Sequence, residues 1–85
     1  MLLYEWLLNE AQRTGVKGGS VFKSVAGFGR HGLMHEESFF ELAGELPILV
    51  EFVLDKSLAD NFIDALRAQK LNLFYTCYSV ESGYL

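Results

Sequence analysis

The chain has 85 residues, a length that makes one domain (residues 1–85) and buries only about 60–65% of the surface its unfolded form exposes. Its composition, 51% hydrophobic and 14% aromatic, is richer than so small a monomer can hide and points to a homo-oligomer. The net charge of −4 argues against general nucleic-acid binding, the single cysteine excludes an internal disulfide and fits a reducing cytoplasm, and no run approaches the ~20 apolar residues of a membrane span.

Taken in order, Leu3, Leu7, Leu8 and Ala11 recur at helical spacing, with Glu5, Asn9, Gln12 and Arg13 on the other side. That pattern predicts an amphipathic helix over residues 2–14, its stripe widened by Leu2 and Trp6. Glu5 and Glu10 fall where a secretory signal would be apolar, so no signal peptide is read here. Gly15 is placed to close the helix as a left-handed C-cap, and Arg13 suits the negative end of the helix dipole. Gly18-Gly19 interrupts the chain, and Val21, Phe22 and Val25 mark a strand over residues 20–26.

A glycine-rich run follows, Gly27-Phe28-Gly29-Arg30-His31-Gly32. Glycines at this density let backbone N–H groups converge on an anion, and an arginine beside them supplies a planar charged fork. The charge pattern agrees: residues 11–35 contain no acid but hold Arg13, Lys17, Lys23 and Arg30. The competing reading is a plain turn whose arginine pairs with an acid of a neighbouring subunit. Residues 33–37 are irregular; Ser38 with Glu41 three residues on forms a capping-box pattern for a short helix ending at Gly44.

Residues 46–54 give the clearest strand, with Ile48, Val50, Phe52 and Leu54 on one face and Leu49, Glu51 and Val53 on the other. Pro47 stands at its start, where a missing N–H costs least. Apolar residues on both faces predict an inner strand or one covered by a partner subunit. Ser57, with Asp60 as its N3 partner, caps a second helix to about Lys70, buried through Leu58, Phe62, Ala65 and Leu66 and broadened by Ile63. Residues 71–80 read as a last strand that holds Cys77 as an inert, at least half-buried thiol. Trp6, Phe74, Tyr75 and Tyr78 read as core or interface.

The order helix–strand–loop–strand–helix–strand describes an α+β fold, two helices on one face of an antiparallel sheet. One more strand at the front would complete the ferredoxin-like plan β-α-β-β-α-β. That first strand is missing here, and in the plan it is central.

These residues resemble a known family. Gly27-Phe28-Gly29-Arg30 after a strand, followed by a loop and Leu46-Pro47-Ile48-Leu49-Val50-Glu51-Phe52-Val53, is similar to the PII signal-transduction proteins. The likeness is closer to an uncharacterised PII-like branch, through Gly18-Gly19-Ser20-Val21, His35 and the Leu-Pro before the second strand, and it spans residues 4–73. The resemblance implies a ferredoxin-like subunit in a compact homotrimer, with small effectors, often adenine nucleotides, bound between subunits. It places Gly27, Gly29 and Arg30 at the base of a mobile loop over residues 31–45, and His31 where classical members have a ligand- or metal-contacting glutamine. Three departures stand out. Residues 67–73 lack the glycines of the classical second phosphate loop, so Lys70 offers the charge without a backbone cradle. The basic C-terminal segment is absent, and Phe39 and Phe40 stand where some members carry a modified tyrosine.

His31 and His35 stand four apart, a spacing that on a helix would suit a metal with Glu36 as third ligand, but they fall in an irregular, glycine-containing stretch with no Cys or third His close by, and no nucleophile stands beside a base in a catalytic motif. Glu51, if buried, needs a partner, for which Lys23 is the candidate. The reading is a non-enzymatic, cytoplasmic regulatory protein. Its ligand residues are Gly27, Gly29, Arg30, His31 and Lys70, its ligand a small anionic metabolite or nucleotide. A protein target meets the loop; no nucleic acid or membrane insertion is expected, and the cofactor is unknown. The alternative is a structural or metal-tolerance-type trimer of the same fold without a nucleotide site.

Overall fold

The computed structural model describes residues 1–26 and 47–85. Among these residues four elements form, in the order α1 (Leu3–Arg13), β1 (Gly19–Lys23), β2 (Ile48–Phe52) and α2 (Lys56–Ala68). β1 and β2 pair antiparallel, with Val21 opposite Val50, Gly19 opposite Phe52 and Lys23 opposite Ile48. Two helices on a two-stranded antiparallel sheet make a small α+β fold of the ferredoxin-like kind.

The helix ends follow from local chemistry. At the start of α1 the Glu5 carboxylate accepts the Leu2 N–H at 3.2 Å, half of a capping box. At its end Gly15 has φ 103°, Gly15 N–H donates to Gln12 O at 3.2 Å and Val16 N–H to Ala11 O at 3.0 Å. These two bonds are a Schellman motif, which requires a left-handed residue that only glycine adopts freely. The hydrophobic contact that accompanies the motif is present as Ala11 against Val16, both buried. α2 begins one residue before Ser57: Asp55, extended at φ −63° and ψ 152°, is the N-cap, and its carbonyl accepts the Ala59 N–H at 2.8 Å. Asp60 therefore serves no capping box; it takes both its contacts from Lys56 Nζ at 3.1 Å, one turn back.

The core sits between the helices and one sheet face. Leu7, Ala11, Val16 and Phe62 are buried, and Phe52, Leu54, Leu58 and Leu66 pack around them. The Phe52 and Phe62 rings meet edge to face, 5.4 Å apart at 89°, a geometry favoured by the ring quadrupoles. Phe52 also explains the second glycine of the Gly18-Gly19 break. A Cβ on Gly19 would stand 2.6 Å and 2.7 Å from Phe52 ring carbons and 3.3 Å from Leu8 Cδ2. The ring lies on bare backbone, a close approach that no side chain would permit. Ala65, expected in the buried stripe, is exposed.

The other sheet face is in solvent: Phe22 is 51% exposed and its cross-strand neighbour Leu49 58%. This matches the two-faced apolar character of β2. Glu51 lies opposite Ser20 rather than Lys23, both charges are exposed, and no ion pair joins them among the described residues. The burial that would have demanded a partner is absent.

Residues 71–80 do not form the expected strand. The chain leaves α2 through two left-handed residues, Lys70 (φ 54°) and Asn72 (φ 60°), and runs unladdered beside the helix. Phe74 and Tyr78 are exposed, and Cys77 is a free, exposed thiol rather than a buried one. The ferredoxin-like plan supplies the reason. There the last strand pairs with the strand that precedes the first helix, and no strand precedes α1 among the described residues. A segment of strand composition without a neighbouring ladder has nowhere to place its N–H and C=O groups but water.

Candidate functional site

Of the sequence-derived ligand residues, Gly27, Gly29, Arg30 and His31 lie outside the described residues, as do His35, Glu36 and the short helix expected after Ser38. The structure does describe the root from which that stretch departs and to which it returns. Ser24 and Pro47 face each other one step beyond the last ladder pair. The Pro47 carbonyl accepts two hydrogen bonds, from Ser24 N–H at 3.1 Å and from Ser24 Oγ at 2.8 Å. In an antiparallel ladder alternate pairs exchange bonds across the strands, and Ser24–Pro47 is such a pair; Pro47 has no N–H to return to the Ser24 carbonyl, and the Ser24 hydroxyl supplies the second bond of the pair instead. The two strand ends are thus pinned together, and Gly27 follows Ser24 by three residues.

Sequence reasoning missed this clasp. Ser24 was read as an ordinary strand position and Pro47 as a strand boundary. The available signal was a serine and a proline at the two inner ends of paired strands, which becomes visible only once the register is known.

The basic residues around the root have separate environments. Lys23, the last residue of β1, and Lys17 are exposed. Arg13 is engaged with Glu10 through both Nε and an NH2 group, on a carboxylate only 17% exposed. The hydrogen bond from Arg13, followed by its charge, holds the Glu10 carboxyl below its ordinary range, while Glu10 raises Arg13 in return. Arg13 is therefore a helix-terminal partner of Glu10, one cation fewer for an anion. Lys70 is exposed at the left-handed exit from α2. Its N–H is used within the helix end, on Arg67 O at 3.1 Å.

A second concavity lies elsewhere, a groove of about 410 Å³ between α2 and residues 75–77, lined by Asp60, Ile63, Asp64, Arg67, Tyr75 and Cys77. Its polar groups already satisfy one another: Lys56 holds Asp60, and Arg67 donates to Asp64 at 3.1 Å and to the Tyr75 hydroxyl at 3.2 Å. With its polar groups committed to one another and its walls exposed, this groove is less suited to an anion than the loop root. Among the described residues no group of three His, Cys, Asp or Glu side chains is placed to hold a metal ion. No helix among them is long and apolar enough to cross a membrane.

Comparison with known proteins gives a family whose description names no activity. The DUF190 family model, described as "Uncharacterized ACR, COG1993", matches residues 1–82. A UPF0166 protein of Aquifex aeolicus (strain VF5) is 30% identical over 82 residues, covering 96% of this chain and 77% of the relative. Another from the same organism is 32% identical over 74 residues, 87% of this chain and 77% of the relative. A UPF0166 protein of Methanocaldococcus jannaschii is 33% identical over 52 residues, 61% of this chain and 47% of the relative. No solved structure matches. With nearly its whole length matched, the chain belongs to the DUF190 family, the uncharacterised PII-like branch to which its glycine run and Leu-Pro strand entrance pointed.

Proposed function

We propose that this chain is a non-enzymatic PII-like regulatory protein that binds a small anionic effector, an adenine nucleotide foremost, at clefts between the subunits of a homotrimer. The observation that supports this is the clasp at Ser24–Pro47. The two-strand stem ends there, and the run Gly27-Phe28-Gly29-Arg30-His31 begins three residues beyond it, in the acid-free part of the sequence. A pinned stem holds a glycine-rich turn in register with the sheet, the condition for backbone N–H groups to be presented together.

In this reading the N–H groups of Gly27, Gly29 and His31 surround phosphate or carboxylate oxygens, and Arg30 closes on them with two parallel N–H bonds. Lys70 adds a point charge from the end of α2. Effector binding orders the loop over residues 31–45, a shift in population that a protein target reads. No step of this requires bond making.

Titration calorimetry of wild type and Arg30→Ala with ATP, ADP and AMP tests it. Loss of a charge-assisted fork worth about 1.5–3 kcal/mol weakens binding roughly 10- to 100-fold. Equal affinity in both removes Arg30 from the site. Absence of binding by every nucleotide overturns the effector reading and favours the structural or metal-tolerance-type trimer.

A further inference from the structure

The pairing of β1 with β2 is not fixed by which residues are apolar. In the observed register Gly19, Val21 and Lys23 share the helix side of the sheet with Phe52, Val50 and Ile48, while Phe22, 51% exposed, stands on the opposite side. A step of one residue would turn β1 over, carry Phe22 to the helix side and Lys23 away from it, and still leave an apolar residue on each face. Two contacts make the choice. At one end the Phe52 ring needs a residue without a Cβ opposite it, which Gly19 supplies. At the other the Ser24 hydroxyl donates to the Pro47 carbonyl at 2.8 Å, beside the Ser24 N–H at 3.1 Å. The first contact admits two registers, because Gly18 precedes Gly19. With Gly18 opposite Phe52 the ring again lies on bare backbone, and Lys17 and Gly18, which belong to no element, take up the step. A step the other way puts the Cβ of Ser20 under the ring and is excluded. The second contact admits one register. With Gly18 opposite Phe52, Pro47 meets Lys23, whose N–H can donate but which carries no hydroxyl, so the pair keeps a single bond.

We infer that β1 and β2 form a two-register stem, in which the Ser24 hydroxyl holds the observed register against a second one, offset by one residue, that pairs Gly18 with Phe52, Ser20 with Val50 and Phe22 with Ile48. The offset carries the end of β1 along β2 by about 3.3 Å and turns its side chains from one face to the other. It exchanges Val21 for Phe22 on the helix side and releases Lys23 from that side; it gives up the hydroxyl bond and loses nothing at Phe52. A single neutral hydrogen bond shifts such a balance several-fold, which makes Ser24 the residue that sets it. The chain beyond Ser24 leaves the sheet from a different place in each state, so the stem is a conformational switch at the root of that segment. The device does not rest on the effector reading; it needs only the two described strands.

The test combines cross-strand NOEs with amide relaxation dispersion on the full-length labelled chain. Pairs that exchange no bonds across an antiparallel ladder bring their α-protons close together. The observed register therefore shows Val21–Val50 and Lys23–Ile48 contacts, and the offset register Ser20–Val50 and Phe22–Ile48. Ser24→Ala is expected to raise the offset population about 2- to 10-fold, read as exchange at the Val21 and Val50 amides, and Ser24→Thr, which keeps a hydroxyl, to behave as wild type. A Cβ on Gly18 meets nothing within 4 Å in the observed register but falls under Phe52 in the offset one, so Gly18→Ala added to Ser24→Ala is expected to abolish the exchange. Gly19→Ala burdens the observed register alone and is expected to make the Ser20–Val50 contact the major one. No exchange in Ser24→Ala overturns the inference, as does exchange that survives Gly18→Ala, or a Gly19→Ala chain that keeps the Val21–Val50 contact or no longer folds.

Discussion

Residues 48–52 and residues 71–80 are both rich in β-branched and aromatic side chains, yet they end in different states. β2 is laddered to β1 and drives Phe52 onto Gly19 and Phe62; the later segment runs unladdered past α2 with Phe74 and Tyr78 in solvent. Strand composition alone therefore does not make a strand. A neighbouring ladder and a face to bury are both needed, and only β2 has them within the described chain.

The largest expected effect lies on the β2 side of this contrast. Phe62→Ala opens a cavity under Phe52 and between the helices, and denaturant unfolding is expected to show a loss of about 3–5 kcal/mol. Gly19→Val comes next. A branched side chain cannot occupy the 2.6 Å gap to the Phe52 ring, so the expected loss is about 1–3 kcal/mol, and Phe52→Ala in the same chain is expected to recover part of it. Gly15→Ala forces a Cβ into the left-handed region at φ 103° and is expected to cost about 1–2 kcal/mol by the same measurement. On the other side of the contrast, Phe74→Ala in chain dilute enough to be monomeric is expected to change stability by less than about 0.5 kcal/mol, because the ring is 87% exposed. A loss comparable to that of Phe62→Ala would place the tail in the core and erase the distinction.

The smallest expected effect concerns pH. The Glu10 carboxyl is held below its ordinary range by the hydrogen bond and charge of Arg13. A carboxyl lowered in the folded state contributes stability that is present above its unfolded value and fades as pH falls through the folded one. Glu10→Gln is therefore expected to flatten the acid limb of the stability curve by lowering stability slightly at neutral pH and matching wild type once the carboxyl is protonated, as read from Tm against pH.

Much of the fold was legible in the sequence because it is written in local signals. The period of Leu3, Leu7 and Ala11 gave α1, Gly15 gave its end, and alternation from Ile48 to Phe52 gave β2. What was not legible depends on partners distant in sequence. Residues 71–80 have strand composition, but whether they ladder depends on a neighbour that composition cannot supply. Cys77 was placed inside on the strength of that strand and lies outside with it. Gly19 read as a chain break, because only the register with Phe52 shows that a ring needs the space. Asp55, two residues before Ser57, is the N-cap because its backbone is extended there and helical from Lys56 onward, an angle the sequence does not display. For the site, the glycine run and its charge were legible as chemistry, while the Ser24–Pro47 clasp emerged from pairing alone.

The most direct measurement of the central claim is an amide NMR titration of the uniformly 15N-labelled chain with ATP. The account predicts saturable shifts confined to residues 24–32 and Lys70, with the Val16 and Phe62 amides unmoved. Shifts centred on Asp64, Arg67 and Tyr75, or no saturable shift at any amide, would contradict it.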